Sequence, residues 1–253
     1  KAILFTDYKA VKEESERLVR FCEKEKVRML LLPSLDELKG GKLKMRALPE
    51  VRIEDLLGRE EIRINMEEIA GSLKGKVVLV TGAAGSIGSE LCRQLCHFGL
   101  KQLVLFDSAE TPMHNIRLEL EEKFPDVEFT PVMGDIRMIH RVESIYQRFH
   151  PQLVFHAAAY KHVPLVECNP SEGVLNNVFG TLNMARAAIE SGVSHFVLVS
   201  TDKAVRPTNV MGATKRMAEL VLQALAASPS VCFHLPDGTH SPQVTNNTLF
   251  AMV

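Results

Sequence analysis

Cysteine pairs, charge of one sign and long apolar runs are all missing from this sequence, and each absence excludes something. Cys22, Cys92, Cys96, Cys168 and Cys232 form no Cys-x-x-Cys pair and are odd in number. That argues against a disulfide framework and for a reducing, cytoplasmic setting. Cys92 and Cys96 share a helix face and read as packing residues, with metal ligation the weaker alternative because no paired ligands lie nearby; no metal site is expected. The formal net charge is -1, so no field for binding a polyanion is expected and nucleic acid is not a partner. No apolar run is long enough to span a bilayer and no signal peptide is visible, so these residues are expected to make no membrane contact. An initiating methionine is also missing: the chain starts at Lys1 and reads as a piece of something longer. What remains is 253 residues, 46% hydrophobic, enough for one large domain or two small ones.

The most informative stretch is VVLVTGAAGSIGSELCRQL, Val77 to Leu95. The apolar run Val77 to Val80 predicts a strand buried on both faces of a parallel sheet. Gly82, Gly85 and Gly88 then mark a turn that opens a helix, along which Ile87, Leu91 and Leu95 recur at helical spacing. Glycine serves such a turn by allowing tight reversal, close backbone approach to a pyrophosphate, and close packing of helix on strand. The free N–H groups of the new helix face the phosphates. The spacing is Gly-x-x-Gly-x-x-Gly rather than the standard Gly-x-Gly-x-x-Gly, and a glycine pattern alone is weak. Its position between strand and helix strengthens it, as does LVLFD, which ends at Asp107, where a carboxylate can take ribose hydroxyls. This is a dinucleotide site.

The rest of the chain alternates. Ala2 to Phe5 and Val27 to Leu32 read as strands, with Glu13 to Lys26 a helix between them. LPEVRIEDLLGREEI, Leu48 to Ile62, mixes apolar and charged residues. This opening is a small partial α/β domain, 1–74, with the boundary near Lys74. From there strands are predicted at Val127 to Val132, Leu153 to Ala157 and His195 to Ser200. Helices are predicted at Met113 to Lys123, Ile139 to Phe149, Val174 to Glu190 and Val210 to Ala226. Repeated β-α units imply a doubly wound parallel sheet, the α/β fold class of a Rossmann domain, over 75–253. Ser228 to Asn247 reads as a loop or insertion, and Leu249 to Val253 as a further parallel strand.

Ligands bind at the carboxyl ends of such strands. Asp135, after a strand, can accept from an adenine amino group; a turn carboxylate after Gly134 is the competing reading. Ala157, Ala158 and Ala159 are small enough to let backbone approach a ring or ribose, though alanines are also ordinary core residues. Lys161 and His162 follow at the lip of the sheet, against the plain reading of a solvated pair. The densest constellation is STDKAVRPTNVMGATKR, Ser200 to Arg216. There Asp202 and Lys203 supply an acceptor and donor of protons, provided the surroundings lower the lysine pKa. Lys215 and Met211 share one face of the next helix.

These residues carry a resemblance. The chain resembles the extended short-chain dehydrogenases/reductases, and more narrowly the nucleotide-sugar 4,6-dehydratases of the polysaccharide-biosynthesis family that act on UDP-N-acetylglucosamine. The matching segments are LPEVRIEDLLGRE, VTGAAGSIGSEL, HAAAYKHVPLVE, NNVFGT and VSTDKAVRPTNVMGATKR. The superfamily's Tyr-x-x-x-Lys is here Met211-x-x-x-Lys215, a substitution typical of the membrane-anchored dehydratases. The resemblance implies NAD as cofactor, held by Gly82, Gly85, Ser86, Ile87, Gly88, Asp107, Asp135, Ile136, Ala157, Ala158, Lys161, Asn177 and Lys215. It implies a UDP-sugar substrate met by Lys161, His162 and Thr201, and chemistry carried by Thr201, Asp202, Lys203 and Lys215 beside Met211. By the same likeness the protein is expected to form a homo-oligomer, to sit at the cytoplasmic face of the inner membrane where an anchored parent exists, and to continue beyond Val253 into a cap that binds the sugar. A fragment without that cap is expected to keep NAD binding rather than turnover. Competing readings are a UDP-sugar 4-epimerase and a non-catalytic NAD-binding module.

Overall fold

A computed structural model describes residues 2–5, 27–31, 66–234 and 238–253. The chain divides into two compact units, Lys1–Ile64 and Asn65–Val253. In the first, strands β1 (Ala2–Phe5) and β2 (Arg28–Leu31) pair in parallel. The helix expected over Glu13 to Lys26 and the segment Leu48 to Ile62 lie outside the described residues. The division falls before, not at, Lys74. Helix α1 (Met66–Leu73) therefore belongs with the larger unit, whose core takes in the buried side chain of Leu73.

The larger unit alternates strand and helix: β3 (Val77–Thr81), α2 (Ser86–Leu95), β4 (Gln102–Asp107), α3 (Glu110–Lys123), β5 (Phe129–Met133), α4 (Ile139–Phe149) and β6 (Leu153–His156). Two short helices follow, α5 (Val163–Cys168) and α6 (Pro170–Val174), then a π turn (Leu175–Gly180), α7 (Thr181–Glu190), β7 (His195–Leu198), a 3₁₀ turn (Asp202–Ala204) and α8 (Val210–Ala226). The chain closes with β8 (Ser230–Val231), β9 (Val244–Thr245) and β10 (Leu249–Met252). Six strands form one parallel sheet in the order β10-β7-β6-β3-β4-β5. That is the doubly wound order of dinucleotide-binding domains, with the strand order reversing between β3 and β6.

Alternation along each strand explains why the sheet is covered on both sides. Leu79, Val104, Phe106, Val154 and Phe196 face one way, onto Val142, Ile145 and Tyr146 of α4, Met184 and Ala188 of α7, and Ala218 and Leu222 of α8. Val78, Val80, Leu103 and Leu105 face the other, onto Cys92 and Leu95 of α2 and Met113, Ile116 and Leu120 of α3. Cys92 and Cys96 are thus core residues, as their shared face implied, and burial raises both thiols, Cys96 to about 11. Pro131, which has no N–H to give to a ladder, sits in β5 at the sheet's edge.

Two expectations change. The single helix expected over Val174 to Glu190 is broken by the π turn, where Asn176 and Asn177 are buried and Gly180 packs on Ile136. A wide turn of this kind turns polar side chains inward. Ser228 to Asn247, expected as a loop, contains the antiparallel pair β8–β9 among its described residues. Pro229 and Pro242 fall outside the paired residues, and the Asn246 amide donates to Leu225 and Ser228 carbonyls at 2.8 and 3.2 Å, tying the hairpin to the end of α8.

Candidate active site

The glycine loop is shaped by backbone contacts. Gly82 has φ of 66°, and a Cβ there would lie 2.6 Å from the Ala158 nitrogen and 2.7 Å from the Ala157 carbonyl carbon. The loops after β3 and β6 therefore touch at the point where strand order reverses. A Cβ on Gly88 would lie 2.0 Å from the Gly82 oxygen. Gly85 takes an extended conformation as the N-cap of α2, with no side-chain cap on the helix's first N–H groups. The result is a cradle of backbone donors that side chains would fill. It fits a pyrophosphate.

The cleft above it is lined by Gly82, Gly85, Ser86, Ile87, Gly88, Asp107, Asp135, Ile136, Ala157, Ala158 and Lys161, all of them expected from the sequence. Phe106, Ser108, Tyr160 and Asn176 line it as well and were not foreseen, although each neighbours a residue that was. Asp107 accepts from the Ala84 N–H at 3.0 Å and the Ala109 N–H at 2.9 Å, so the end of β4 braces the glycine loop. Asp135 is gripped by the Arg137 guanidinium at 2.6 to 3.1 Å, which holds its carboxyl below the usual range. An adenine amino group would share that carboxylate with Arg137.

Asn177, expected at the cofactor, clamps the chain at Tyr160, a residue of the cleft. Its amide oxygen accepts from Tyr160 N at 2.8 Å, and its nitrogen donates to Tyr160 O and Thr214 Oγ1, each at 3.0 Å. It is only 1% exposed, so these bonds have no water to replace them. Asn177→Ala is expected to cost about 2–4 kcal/mol, read as a lower urea midpoint with unchanged slope.

His156, the first residue of the HAAAYKHVPLVE segment and given no role by the sequence, ends β6 fully buried. Its Nδ1 lies 2.6 Å from Thr81 Oγ1 and its Nε2 3.0 Å from Thr181 Oγ1. The Thr181 hydroxyl donates to Asn177 O at 2.7 Å, so it accepts from His156, and the proton is assigned to Nε2. Burial drives the pKa down to about 3. Below pH 6.5 the unfolded histidine takes a proton that the folded one refuses. Stability is then expected to fall by about 1.4 kcal/mol per pH unit from 6.5 to 5, before carboxylates titrate. Urea melts across that range check it, with His156→Gln losing the slope.

The second group of expected residues lies past the end of β7, outside the cleft lining. Thr201 caps the 3₁₀ turn and donates its hydroxyl to Asp202 Oδ1 at 2.9 Å. That bond, and then the Lys203 charge, hold the Asp202 carboxyl low. Lys203 Nζ is 3.5 Å from Asp202, and the side chains are 52% and 88% exposed. Both are free to meet a ligand. A Cβ on Gly212 would lie 2.4 Å from Lys203 O, so the first turn of α8 sits directly against this turn. Met211 and Lys215 are buried on α8, whose N-terminus is capped by Asn209 Oδ1 accepting from Gly212 N at 2.7 Å. Lys215 donates to Val199 O at 2.7 Å, and burial lowers its pKa to about 8. His162 is exposed, two residues past Tyr160 of the cleft.

Residues 78–233 match the family model described as polysaccharide biosynthesis protein. The chain belongs to that family. Within it, the capsular polysaccharide biosynthesis protein CapD of Staphylococcus aureus is 44% identical over 207 residues, 81% of this chain and 35% of CapD. This member of the family thus spans about a third of that relative's length. Among solved structures, Pen from Bacillus thuringiensis is similar at TM-score 0.59 and 34% identity, over 71% of this chain and 49% of Pen. A UDP-glucose-4-epimerase from Stenotrophomonas maltophila, with bound NAD and formylated UDP-arabinopyranose, is similar at TM-score 0.54 and 26% identity, over 60% of this chain and 49% of its own. No helix among the described residues is long and apolar enough to cross a membrane.

Proposed function

We propose that this chain carries the NAD-binding and proton-transfer half of a nucleotide-sugar 4,6-dehydratase acting on a UDP-N-acetylhexosamine, UDP-N-acetylglucosamine foremost. The observation that carries the reading is the environment of Lys215. The partner residue one turn before it is the buried thioether Met211, which can neither give nor take a proton, while half-buried Thr201 and exposed Asp202 and Lys203 stand against the same helix. An enzyme built this way draws its acid and base from the turn.

When bound in the glycine cradle, NAD supplies hydride removal at sugar C4 and hydride return at C6. The protein's own groups do the rest. Gly82, Gly85 and Gly88 bring backbone N–H groups to the pyrophosphate, and Asp107 takes the ribose hydroxyls. Lys215, charged, holds the nicotinamide ribose. Thr201 hydrogen-bonds the C4 oxygen, and as the 4-ketone forms the C4 hydroxyl proton passes through the Thr201 hydroxyl to the Asp202 carboxylate. Lys203 takes the C5 proton, acidified by the 4-ketone, and returns it as hydride reaches C6, while Asp202 protonates the C6 hydroxyl, which leaves as water. The product is the 4-keto-6-deoxy sugar, a precursor for surface polysaccharide.

The likeness to an NAD-bound epimerase supports a second reading, UDP-sugar 4-epimerase. Met211 weighs against it, because epimerases of this fold generally use the tyrosine of Tyr-x-x-x-Lys, where this protein has a thioether. Incubation with UDP-N-acetylglucosamine and NAD in heavy water separates the two by mass spectrometry. Dehydration gives a product lighter by one water and carrying solvent deuterium. A C4 epimer of unchanged formula would contradict the proposal.

A further inference from the structure

We propose that Glu219 is a positioning residue of this site, anchoring the Thr201–Asp202–Lys203 turn to the helix that carries Lys215. The inference rests on the reading of that turn as the proton-transfer group. Glu219 sits one turn after Lys215 on the same face of α8, with a side chain only 12% exposed. Its two oxygens are divided between neighbours. Oε1 accepts from the Ser200 hydroxyl at 2.5 Å, and Oε2 from Arg216 at 2.9 Å.

Ser200 is where the chain leaves the sheet for the turn. Its backbone N–H donates to Val253 O at 2.6 Å, fixing the main chain, and its hydroxyl goes to Glu219. The residue before it, Val199, gives its carbonyl to Lys215. Two consecutive residues are therefore gripped by two side chains one turn apart on α8. Beyond them Thr201, Asp202 and Lys203 hydrogen-bond one another, and Lys203 O lies against Gly212 of α8. Loss of Glu219 would loosen the turn without releasing it.

The charge of Glu219 has a second consequence. Lys215 is acted on by Glu219 from its own helix, which favours the ammonium and opposes burial, and it couples to His156 at the end of β6. A glutamine at 219 could still accept from Ser200, but it would give up that charge and turn an amide toward Arg216. Glutamate is thus suited to both tasks at once.

Two variants separate them. In Glu219→Gln, the ionisation midpoint of Lys215, followed by NMR of carbon-labelled lysine side chains and assigned with Lys215→Arg, is expected to fall by about 0.5 pH unit. In Ser200→Ala the midpoint holds, while amide exchange at Ala204 and Val205, whose N–H groups close the turn onto Thr201 and Asp202, speeds about fivefold. A folded Glu219→Gln with an unmoved midpoint would overturn the proposal, and so would unchanged exchange in Ser200→Ala. Neither readout uses sugar turnover, so its failure and that of the dehydratase reading are told apart.

Discussion

Alanine at Gly88 is expected to weaken NAD binding at least about a hundredfold and to destabilise the protein by about 2–4 kcal/mol. The added Cβ would lie 2.0 Å from the Gly82 oxygen, 2.7 Å from its carbonyl carbon and 2.9 Å from Ala83 Cα. All three are backbone atoms, so no side chain can swing aside, and α2 must move off β3. The move pulls the helix's N–H groups away from the pyrophosphate and opens a gap against the sheet. Calorimetric titration with NAD, together with urea unfolding, reads both effects. Gly71→Ala is the control: it lies in α1 with nothing within 4 Å of the added carbon. That change is expected to be neutral or to stabilise by about 0.5–1 kcal/mol.

In the full-length protein, Lys203→Ala is expected to lower the proposed dehydration about 10²–10⁴-fold, the range of a lost general base, while the melting temperature and NAD affinity hold. The separation follows from exposure. The Lys203 side chain is half exposed, and its 3.5 Å pairing with Asp202 is a surface contact of little energetic worth. Lys215→Ala is expected to behave differently, because a buried side chain and its bond to Val199 O are lost together. Stability should fall there along with turnover. A Lys203→Ala variant with full turnover would contradict the assignment of Lys203 as the base.

Much of this was legible in the sequence because the features that carry it are local. A buried strand running into three glycines and a helix fixes its own geometry, and Asp107 follows at the end of the next strand. Alternation of apolar runs and amphipathic segments gave the six-stranded sheet up to its last strand, Leu249–Met252. The parts that were not legible depend on contacts between distant segments. His156 reads as one more strand residue until Thr81 and Thr181 are found on either side of its ring. Asn177 has the composition of a ligand residue, but the π turn aims its amide at Tyr160 and Thr214. Glu219 looks like any charged residue of an amphipathic helix until Ser200 is brought against it. Asp135 reads from the sequence as an adenine acceptor or a turn carboxylate, and nothing in the order of residues says that Arg137 folds back onto it.

The most direct test of the account follows a label rather than a rate. UDP-N-acetylglucosamine bearing deuterium at C4 would be turned over with NAD in ordinary water and the product read by NMR. Transfer within one site predicts that the deuterium is found on C6 of a 4-keto-6-deoxy sugar, with a solvent proton at C5. Deuterium still at C4, in a sugar inverted there and retaining its C6 hydroxyl, would contradict it and make the protein an epimerase.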